Sequence, residues 1–416
     1  MATTVSGDAP GGLAGGGRVR DDRSSQELTG GRPTVAEVNL DALAYNVRRV
    51  RARLAPRTRL WAVVKADAYG HGALPVARAA LHCGADGLAV ALAEEGAALR
   101  DAGVEAPILV LGATFPDQMD AVASRQLDCM VFDAATARDL GRHARRHNTR
   151  VRVHLKVDTG MARLGIPWDG AVVETASAIV AEPGLELYGL ATHFASADAA
   201  DGSDTRVQWE RFLEVAERLR RAGMEVAVRH AANSATAWRW PGMQADAVRV
   251  GIALYGVAPV PEADDLRPVL TVTTRVAQVK RVTGGVRVGY GGTFVTPGPL
   301  CLATIPIGYA DGYRRGLSNR GDALVLGQRA RVAGRVSMDQ TVLALPAAAA
   351  VEPGDPVVLL GSMGTEAVWA EDWAQWLDTI PYEVLTGLSA RVPRVYRVGD
   401  EIRRAAAVDA DFLRSL

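Results

Sequence analysis

The chain has 416 residues, 47 Lys and Arg against 47 Asp and Glu, and 48% hydrophobic residues. This length allows two or three domains, and the apolar share is ample for a buried core. The zero net charge offers no general electrostatic basis for binding nucleic acid or anionic membranes, and the sequence has no apolar run of the about 20 residues that a membrane span needs. We therefore expect a soluble protein with neither kind of partner.

The first 33 residues are rich in Gly and Ser and contain no apolar signal core. Such a composition predicts a disordered leader, residues 1–33, ahead of the folded protein. Three cysteines, Cys83, Cys129 and Cys301, are scattered singly along the rest of the chain. They exclude a disulfide framework and a Cys-rich zinc site, and suit the reducing cytoplasm, so we predict a cytoplasmic protein without a structural metal.

Residues 34–260 alternate short apolar runs with amphipathic stretches such as TRVQWERFLEVAERLRRAG. Eight runs are strand candidates: 60–64, 87–91, 107–112, 128–132, 151–157, 185–191, 225–231 and 247–253. Eight strands alternating with helices predict a (β/α)8 barrel of the TIM type over 34–260. A doubly wound open sheet is the alternative, although no GxGxxG follows the first strand.

The pattern changes after residue 260. Runs with period-2 character, such as LTVTTRVAQVKRV and TVLALP, are closely interrupted by Gly and Pro. They predict a mainly β C-terminal domain over 261–416, with one short helix in WAEDWAQWLDTI.

Lysine is scarce in this chain: of the 47 basic residues, only Lys65, Lys156 and Lys280 are lysines. Lys65 ends the first predicted barrel strand, in AVVKADAYGHG, and should point into the mouth at the carboxyl end of the barrel. A lysine desolvated there has a lowered pKa and can attack an aldehyde as a neutral amine. The alternative is a surface lysine at a strand end, which is how we interpret Lys280 in the β domain.

The loops after the seventh and eighth strands, HAANSAT and RVGIALYG, occupy the place where barrels often bind phosphate. Ser234 can donate its hydroxyl, and Gly251 permits close approach of its own amide and that of Ile252. Ordinary helix capping and a turn glycine would explain these residues equally well. Together with a lysine at the mouth, they suggest a phosphate-bearing aldehyde, pyridoxal phosphate.

AVVKADAYGHG resembles the pyridoxal-phosphate attachment motif of alanine racemases. Further similar motifs follow in the same order: HLKVDTGMARLG, THF, ANSAT, RVGIALYG, VGYGGTF, IPIGYADGYRR, GRVSMDQ and YEVLTGLSARVPRVY. The resemblance covers about residues 34 to 400. It implies a barrel followed by a β domain, a head-to-tail homodimer with a shared active site, and interconversion of L- and D-alanine by two bases, supplying D-alanine for the peptidoglycan of the bacterial cell wall.

The resemblance also implies roles for single residues. Lys65 would attach the cofactor and serve one face of the substrate, and Tyr290 of the partner subunit would serve the other. Arg249 would face the ring nitrogen of the cofactor, and His193 would belong to the same network. Without the motifs, Tyr290 would be an ordinary β-domain aromatic residue and His193 a satisfied core histidine.

The remaining implied residues fall into three groups. The phosphate and ring would be surrounded by Tyr69, Asn233, Ser234, Gly251, Ile252 and Tyr382. Substrate would contact Arg163 and, from the partner subunit, Met338 and Asp339, with Tyr309 lining the entrance. Lys156, in HLKVDTGM, would be carbamylated and brace Arg163; the competing interpretation is a buried lysine paired with Asp158.

Three alternatives to a strict alanine racemase remain open at this stage. The first is an amino-acid racemase of broader or shifted specificity. The second is a non-catalytic pyridoxal-phosphate-binding protein built on the same barrel, which would lack the second domain. The third is a basic-amino-acid decarboxylase, for which the expected glycine-rich phosphate loop and CxxxD-type site are missing from the sequence.

Overall fold

A computed structural model of the protein describes residues 31–416. The predicted disordered leader therefore lies outside the described residues, apart from its last three positions. Among these, Arg32 donates to the buried carboxylate of Asp311 at 2.6 Å.

The first elements of the chain are strand β1 (Val35–Asn39) and helix α1 (Leu40–Arg51). Eight parallel strands then form a ring: β2 (Arg59–Val63), β3 (Gly87–Val90), β4 (Ile108–Val110), β5 (Asp128–Val131), β6 (Val151–Asp158), β8 (Leu185–Ala191), β9 (Val228–His230) and β10 (Ala247–Val250), with the short β7 (Ile166–Pro167) beside β6. The last strand pairs with the first, Arg249 lying opposite Trp61, so the ring closes. The predicted barrel is confirmed, and the open sheet is excluded.

Helices connect the barrel strands: α2 (Lys65–Gly70), α3 (Ala73–His82), α4 (Ala93–Asp101), α5 (Pro116–Ser124), α6 (Ala134–Arg146), α7 (Val172–Val180), α8 (Ser203–Arg221) and α9 (Ser234–Arg239). Helix α6 shows how the sequence specifies them. The Asp133 side chain accepts from the Thr136 amide at 2.7 Å and starts the helix, while Ala137, Leu140 and Ala144 recur at helical spacing and are buried. Among residues 31–416, no helix is long and apolar enough to cross a membrane.

The C-terminal part is mainly β, as predicted. Its strands are β11 (Leu270–Arg275), β12 (Gln278–Val282), β13 (Arg287–Val288), β14 (Phe294–Val295), β15 (Leu300–Ile305), β16 (Asp322–Val325), β17 (Gln328–Val332), β18 (Thr341–Pro346), β19 (Pro356–Met363), β20 (Glu366–Val368), β21 (Arg394–Val398) and β22 (Glu401–Arg404). Helices α10 (Ala370–Leu377), α11 (Pro381–Thr386) and α12 (Ala410–Leu413) complete it. In β11, Leu270, Val272 and Thr274 are buried and alternate with less buried residues, as a half-buried strand requires.

Strand β1 belongs to the sheet of this second part and not to the barrel. It pairs antiparallel with β11 and parallel with β21. The predicted barrel segment, 34–260, thus begins with a strand that completes the C-terminal sheet, and α1 leads from there to the barrel.

Candidate active site

Lys65 follows the last residues of β2 and begins an unusual turn. The next four residues, 66–69, all have positive φ angles of 52° to 53°, so α2 contains a left-handed turn made without glycine. Each non-glycine residue in this conformation costs about 1–2 kcal/mol. Such strain persists only where the surroundings hold the backbone, and it clusters at functional sites.

Several groups hold the turn in place. The Glu95 carboxylate accepts the amide of Ala66 at 2.6 Å and that of Ala91 at 2.8 Å, and Asp67 accepts the amide of Ala73 at 2.7 Å. At Gly70, where the left-handed turn ends, an added Cβ would overlap the carbonyl oxygen of Leu385 in α11. The second domain therefore packs directly against the turn that follows Lys65.

Lys65 lies among positive charges. Burial lowers the pKa of its amine, the nearby Arg163 lowers that pKa further, and Glu95 partly opposes the shift. A lower pKa increases the fraction of neutral amine, the form that attacks a carbonyl carbon. Lys65 and Arg163 therefore lie close enough for their charges to interact.

A small cradle forms between the ends of β9 and β10. The backbone amide of Gly251 donates to the Ser234 hydroxyl oxygen at 3.1 Å, and Ile252, which is buried, follows directly. A Cβ at position 251 would overlap the Tyr69 hydroxyl, so any larger residue there would displace the Tyr69 side chain. Burial raises the pKa of Tyr69 and keeps its phenol protonated as a donor. These hydroxyls and backbone groups suit an anion.

Two other predicted residues frame the cradle. The Asn233 side chain accepts the Thr236 amide at 3.0 Å and therefore caps α9. Tyr382, on α11 of the second domain, places its ring 6.0 Å from that of Tyr69. Burial raises the pKa of the Tyr382 phenol.

Arg249, in β10, is fixed by several hydrogen bonds from its guanidinium. Nη1 lies 2.5 Å from Nδ1 of His230, and Nη2 lies 3.0 Å from Nδ1 of His193 and donates to the Thr192 carbonyl at 2.8 Å. Burial, and then Arg163, lower the pKa of Arg249 to about 10, so it remains a cation at neutral pH. Burial and Arg249 hold the pKa of His193 well below its ordinary value, so this histidine is neutral.

Lys156 is buried in β6, and its Nζ donates to the Val157 carbonyl at 3.1 Å. Burial, and then the charge of Arg249, lower its pKa to about 7, while Asp158 opposes the shift. The Asp158 carboxylate accepts the amides of Gly160 at 2.9 Å and Met161 at 2.8 Å, so it shapes the following loop as well. The mouth thus gathers four basic side chains, those of Lys65, Lys156, Arg163 and Arg249.

Four predicted residues lie on the second domain with much of their surface exposed in the single chain. Tyr290 is 70% exposed, Met338 53% and Tyr309 41%. Asp339 forms an ion pair with Arg391 at 2.7 Å.

Sequence reasoning missed three residues that shape the site. The Tyr255 hydroxyl donates to the Val63 carbonyl at 2.8 Å, and its ring packs 4.7 Å from that of Tyr69. His230 binds Arg249, and Glu95 binds the turn after Lys65. His230 directly precedes the AANSAT motif and was detectable there, whereas Tyr255 and Glu95 are identified only by the folded arrangement.

Fold and site together define a class: a two-domain protein whose α/β barrel presents, at its carboxyl end, an amine nucleophile, an anion cradle and a fixed arginine. Comparison with known proteins narrows the class. The profile described as "Alanine racemase, N-terminal domain" matches residues 38–259, and that described as "Alanine racemase, C-terminal domain" matches residues 269–396. The chain belongs to the alanine racemase family.

Individual relatives extend this result. An alanine racemase from Desulforamulus reducens is 44% identical over 88% of this chain and 99% of its own length. The crystal structure of alanine racemase from Bacillus anthracis with bound L-Ala-P matches with a TM-score of 0.84 at 37% identity, covering 89% of this chain and 96% of that one. A histidine racemase from Leuconostoc mesenteroides subsp. sake matches with a TM-score of 0.81 at 28% identity, over 88% of this chain and 98% of that one.

Proposed function

We propose that this protein interconverts L- and D-alanine, with pyridoxal phosphate attached through Nζ of Lys65. The observation that carries the proposal is the amine of lowered pKa, fixed by a strained turn at the barrel mouth. Membership of the alanine racemase family supports the reaction class. The product would serve as the D-alanine of bacterial peptidoglycan, made in the cytoplasm.

The residues present fit this cofactor. Its phosphate would be held by Ser234, Tyr69, Gly251 and Ile252. The Ser234 hydroxyl, the Gly251 amide and the Tyr69 hydroxyl lie close together there, and a Cβ at position 251 would press on the Tyr69 hydroxyl. The guanidinium groups of Arg163 and Arg249 suit its negative charges. Bound there, pyridoxal phosphate would supply an electron sink that acidifies the substrate Cα–H.

Arg249 determines the electronic character of that sink. A guanidinium can only donate hydrogen bonds, and Arg249 stays charged because its pKa is about 10. Facing the pyridine nitrogen, it would leave that nitrogen unprotonated. A weaker electron sink limits side reactions, which favours racemisation over transamination.

Racemisation requires a proton acceptor on one face of Cα and a proton donor on the other. Nζ of Lys65 would serve one face, and the hydroxyl of Tyr290, contributed by a second copy of the chain, would serve the other. Arg163 would bind substrate near Lys65, with Met338 and Asp339 of the second copy closing the pocket and Tyr309 at the entrance. His193, held neutral by burial and by Arg249, would orient this network.

The shared site gives the proposal a direct test. Tyr290 is 70% exposed in the single chain, as expected of a residue that serves a partner. Lys65→Ala and Tyr290→Ala proteins should each be inactive, and mixing them should restore activity in heterodimers that carry one intact site. Inactive mixtures, despite demonstrated subunit exchange, would refute a shared active site.

We also propose that Lys156 is carbamylated. Its pKa of about 7 leaves much of the amine neutral, and a neutral amine adds carbon dioxide, forming an N–C bond and releasing one proton. The product is an anion that would pair with Arg163 and relieve the crowding of cations. Intact mass under non-acidic conditions should show the added carbon dioxide on wild-type protein and not on Lys156→Met.

Specificity is the remaining question, since a histidine racemase shares this architecture. Purified protein with added pyridoxal phosphate should be offered single L-amino acids in a chiral assay, with Lys65→Ala as the inactive variant and the exposed Lys280→Ala as its matched control. We expect D-alanine to form much faster than any other D-isomer. Faster formation of another D-amino acid would support racemisation as the reaction and refute alanine as the preferred substrate. Cofactor bound without any racemisation would favour a non-catalytic binding protein.

A further inference from the structure

A chain of buried polar side chains runs from Arg249 into the barrel core. His230 is bound to Arg249, and its Nε2 lies 2.8 Å from Nδ1 of His154. On the far side, Nε2 of His154 lies 3.9 Å from Oδ2 of Asp128. The two histidines are fully buried and Asp128 is 7% exposed. Asp128 is the first residue of β5, whereas Lys65 follows the last residue of β2, so the chain points to the opposite end of the barrel.

The donor-only character of arginine fixes every proton along this chain. Arg249 donates to Nδ1 of His230, so this nitrogen is unprotonated and His230 carries its proton on Nε2. That proton is donated to Nδ1 of His154, which leaves the His154 proton on Nε2. Among the described residues this nitrogen has no hydrogen-bond partner, and the Asp128 carboxylate, 3.9 Å away, is the anion that faces it. The reverse polarity is impossible, because it would require Arg249 to accept.

Burial, together with neighbouring cations, keeps both histidines neutral. Burial lowers the pKa of His230 well below its ordinary value, and Arg249, His154 and Lys156 lower that pKa further. Burial also lowers the pKa of His154; Asp128 opposes this shift, while Arg249 and Arg152 add to it. A second proton on either ring would place a cation close to Arg249.

The far end of the chain opens on a cavity. Asp128 lines a space of about 250 Å³ together with Arg59, Trp61, Asp86 and Arg152. The Trp61 ring also packs edge-on against both histidines, with ring centroids 4.7 Å from His230 and 5.6 Å from His154. The Trp61 ring therefore separates this cavity from the two histidines, which lead from Asp128 to Arg249.

We propose that Asp128, His154 and His230 form a positioning relay that orients Arg249 by fixing the histidine tautomers. No proton passes along it, because Arg249 does not give one up. The Asp128 carboxylate, at the far end of the barrel, stabilises the arrangement in which both histidines are protonated on Nε2. In this arrangement Nδ1 of His230 accepts from Arg249, and this hydrogen bond fixes the orientation of the guanidinium. The effect of the relay on cofactor chemistry rests on the proposed function, whereas its tautomers do not.

Nitrogen NMR of the loaded enzyme, labelled with ¹⁵N-histidine, tests the tautomers directly. The chain has only seven histidines, so single substitutions can assign the signals. We expect His154 and His230 to be neutral, protonated on Nε2 and unchanged between about pH 5 and 8. Protonation on Nδ1, or titration of either ring in this range, would overturn the relay. A wild-type protein with the expected tautomers but no racemisation would refute the proposed function alone.

A matched pair of variants tests the role of the relay. Asparagine and leucine have similar shapes, but only His154→Asn keeps an oxygen near the position of Nδ1 to accept from His230. We expect His154→Leu to lower kcat by about tenfold and to shift the visible absorption band of the bound cofactor. His154→Asn should keep kcat within about threefold of the wild-type value and leave the band at its wild-type position. Equal losses in the two variants would reduce the relay to ordinary core packing and overturn the proposal.

Asp128→Asn tests the far end, because it removes the charge and keeps the size. The expected result is a displaced Nε2 signal of His154 and a shifted cofactor band, with unchanged cofactor content. An Nε2 signal and a cofactor band identical to those of the wild type would exclude Asp128 from the relay.

Discussion

The left-handed turn after Lys65 predicts a stabilising substitution beside a candidate catalytic residue. Ala66 is exposed and has a φ of 52°, so its Cβ is strained and buries no surface. Glycine would remove about 1–2 kcal/mol of strain, against about 0.4–1 kcal/mol of extra backbone entropy in the unfolded chain. Ala66→Gly should therefore raise the free energy of unfolding by about 0.5–1 kcal/mol.

The matched control is Ala98→Gly, an exposed alanine within helix α4. There the same change should lower the free energy of unfolding by about 0.5–1 kcal/mol, because glycine is a poor helix former. Urea unfolding of both variants, in the same buffer and with saturating pyridoxal phosphate, measures the two effects. Destabilisation of equal size in both variants would refute the argument that residues 66–69 store backbone strain.

Two further predictions concern the cradle and the buried lysine. Gly251→Ala should weaken cofactor binding by at least about tenfold in an absorbance titration, because the new methyl group overlaps the Tyr69 hydroxyl, whereas Gly298→Ala, with open space around its Cβ, should leave binding unchanged. The pKa of Lys156 is about 7 in the folded protein and 10.5 in its ordinary state, so between these values the unfolded chain binds the extra proton and stability must rise with pH. In buffer free of carbon dioxide, the free energy of unfolding of the wild type should rise by at most about 1.4 kcal/mol per pH unit from this group, and Lys156→Met should lack this rise. Equal slopes of the free energy of unfolding against pH in both proteins would contradict a lowered pKa.

Much of the fold was predictable because a barrel of this type requires a regular alternation of apolar strands and amphipathic helices in the sequence. Buried parallel strands such as LWAVV must be apolar on both faces, and each is separated from the next by an amphipathic helix. The assignment of β1 was not predictable in this way. Its sequence, VAEVN, alternates buried and less buried residues and would suit any half-buried sheet. Its partners are selected by tertiary packing alone.

Some parts of the candidate site could also be proposed from the sequence, and others could not. Lys65 and Ser234 were proposed from their place after predicted strands, and Tyr290 only by resemblance to a family. The left-handed turn escaped prediction because KADAY contains good helix formers, and the opposite hand is imposed by Glu95 and by α11 of the second domain. The relay through His154 was equally hidden, since its meaning depends on which ring nitrogen faces Arg249.

Strand β1 also affects how the protein is made. Its Glu37 pairs with Arg397 across 360 residues of sequence, so its neighbour β21 leaves the ribosome only after nearly the whole chain has been synthesised. At about 5–20 residues per second, this interval is roughly 20–70 s. The barrel can fold during that time. Strand β1 meanwhile has both edges unpaired until β11 is made, and one edge unpaired until β21 follows, and unpaired edges are prone to aggregation. Chaperone dependence during synthesis should therefore concentrate on this amino-terminal strand.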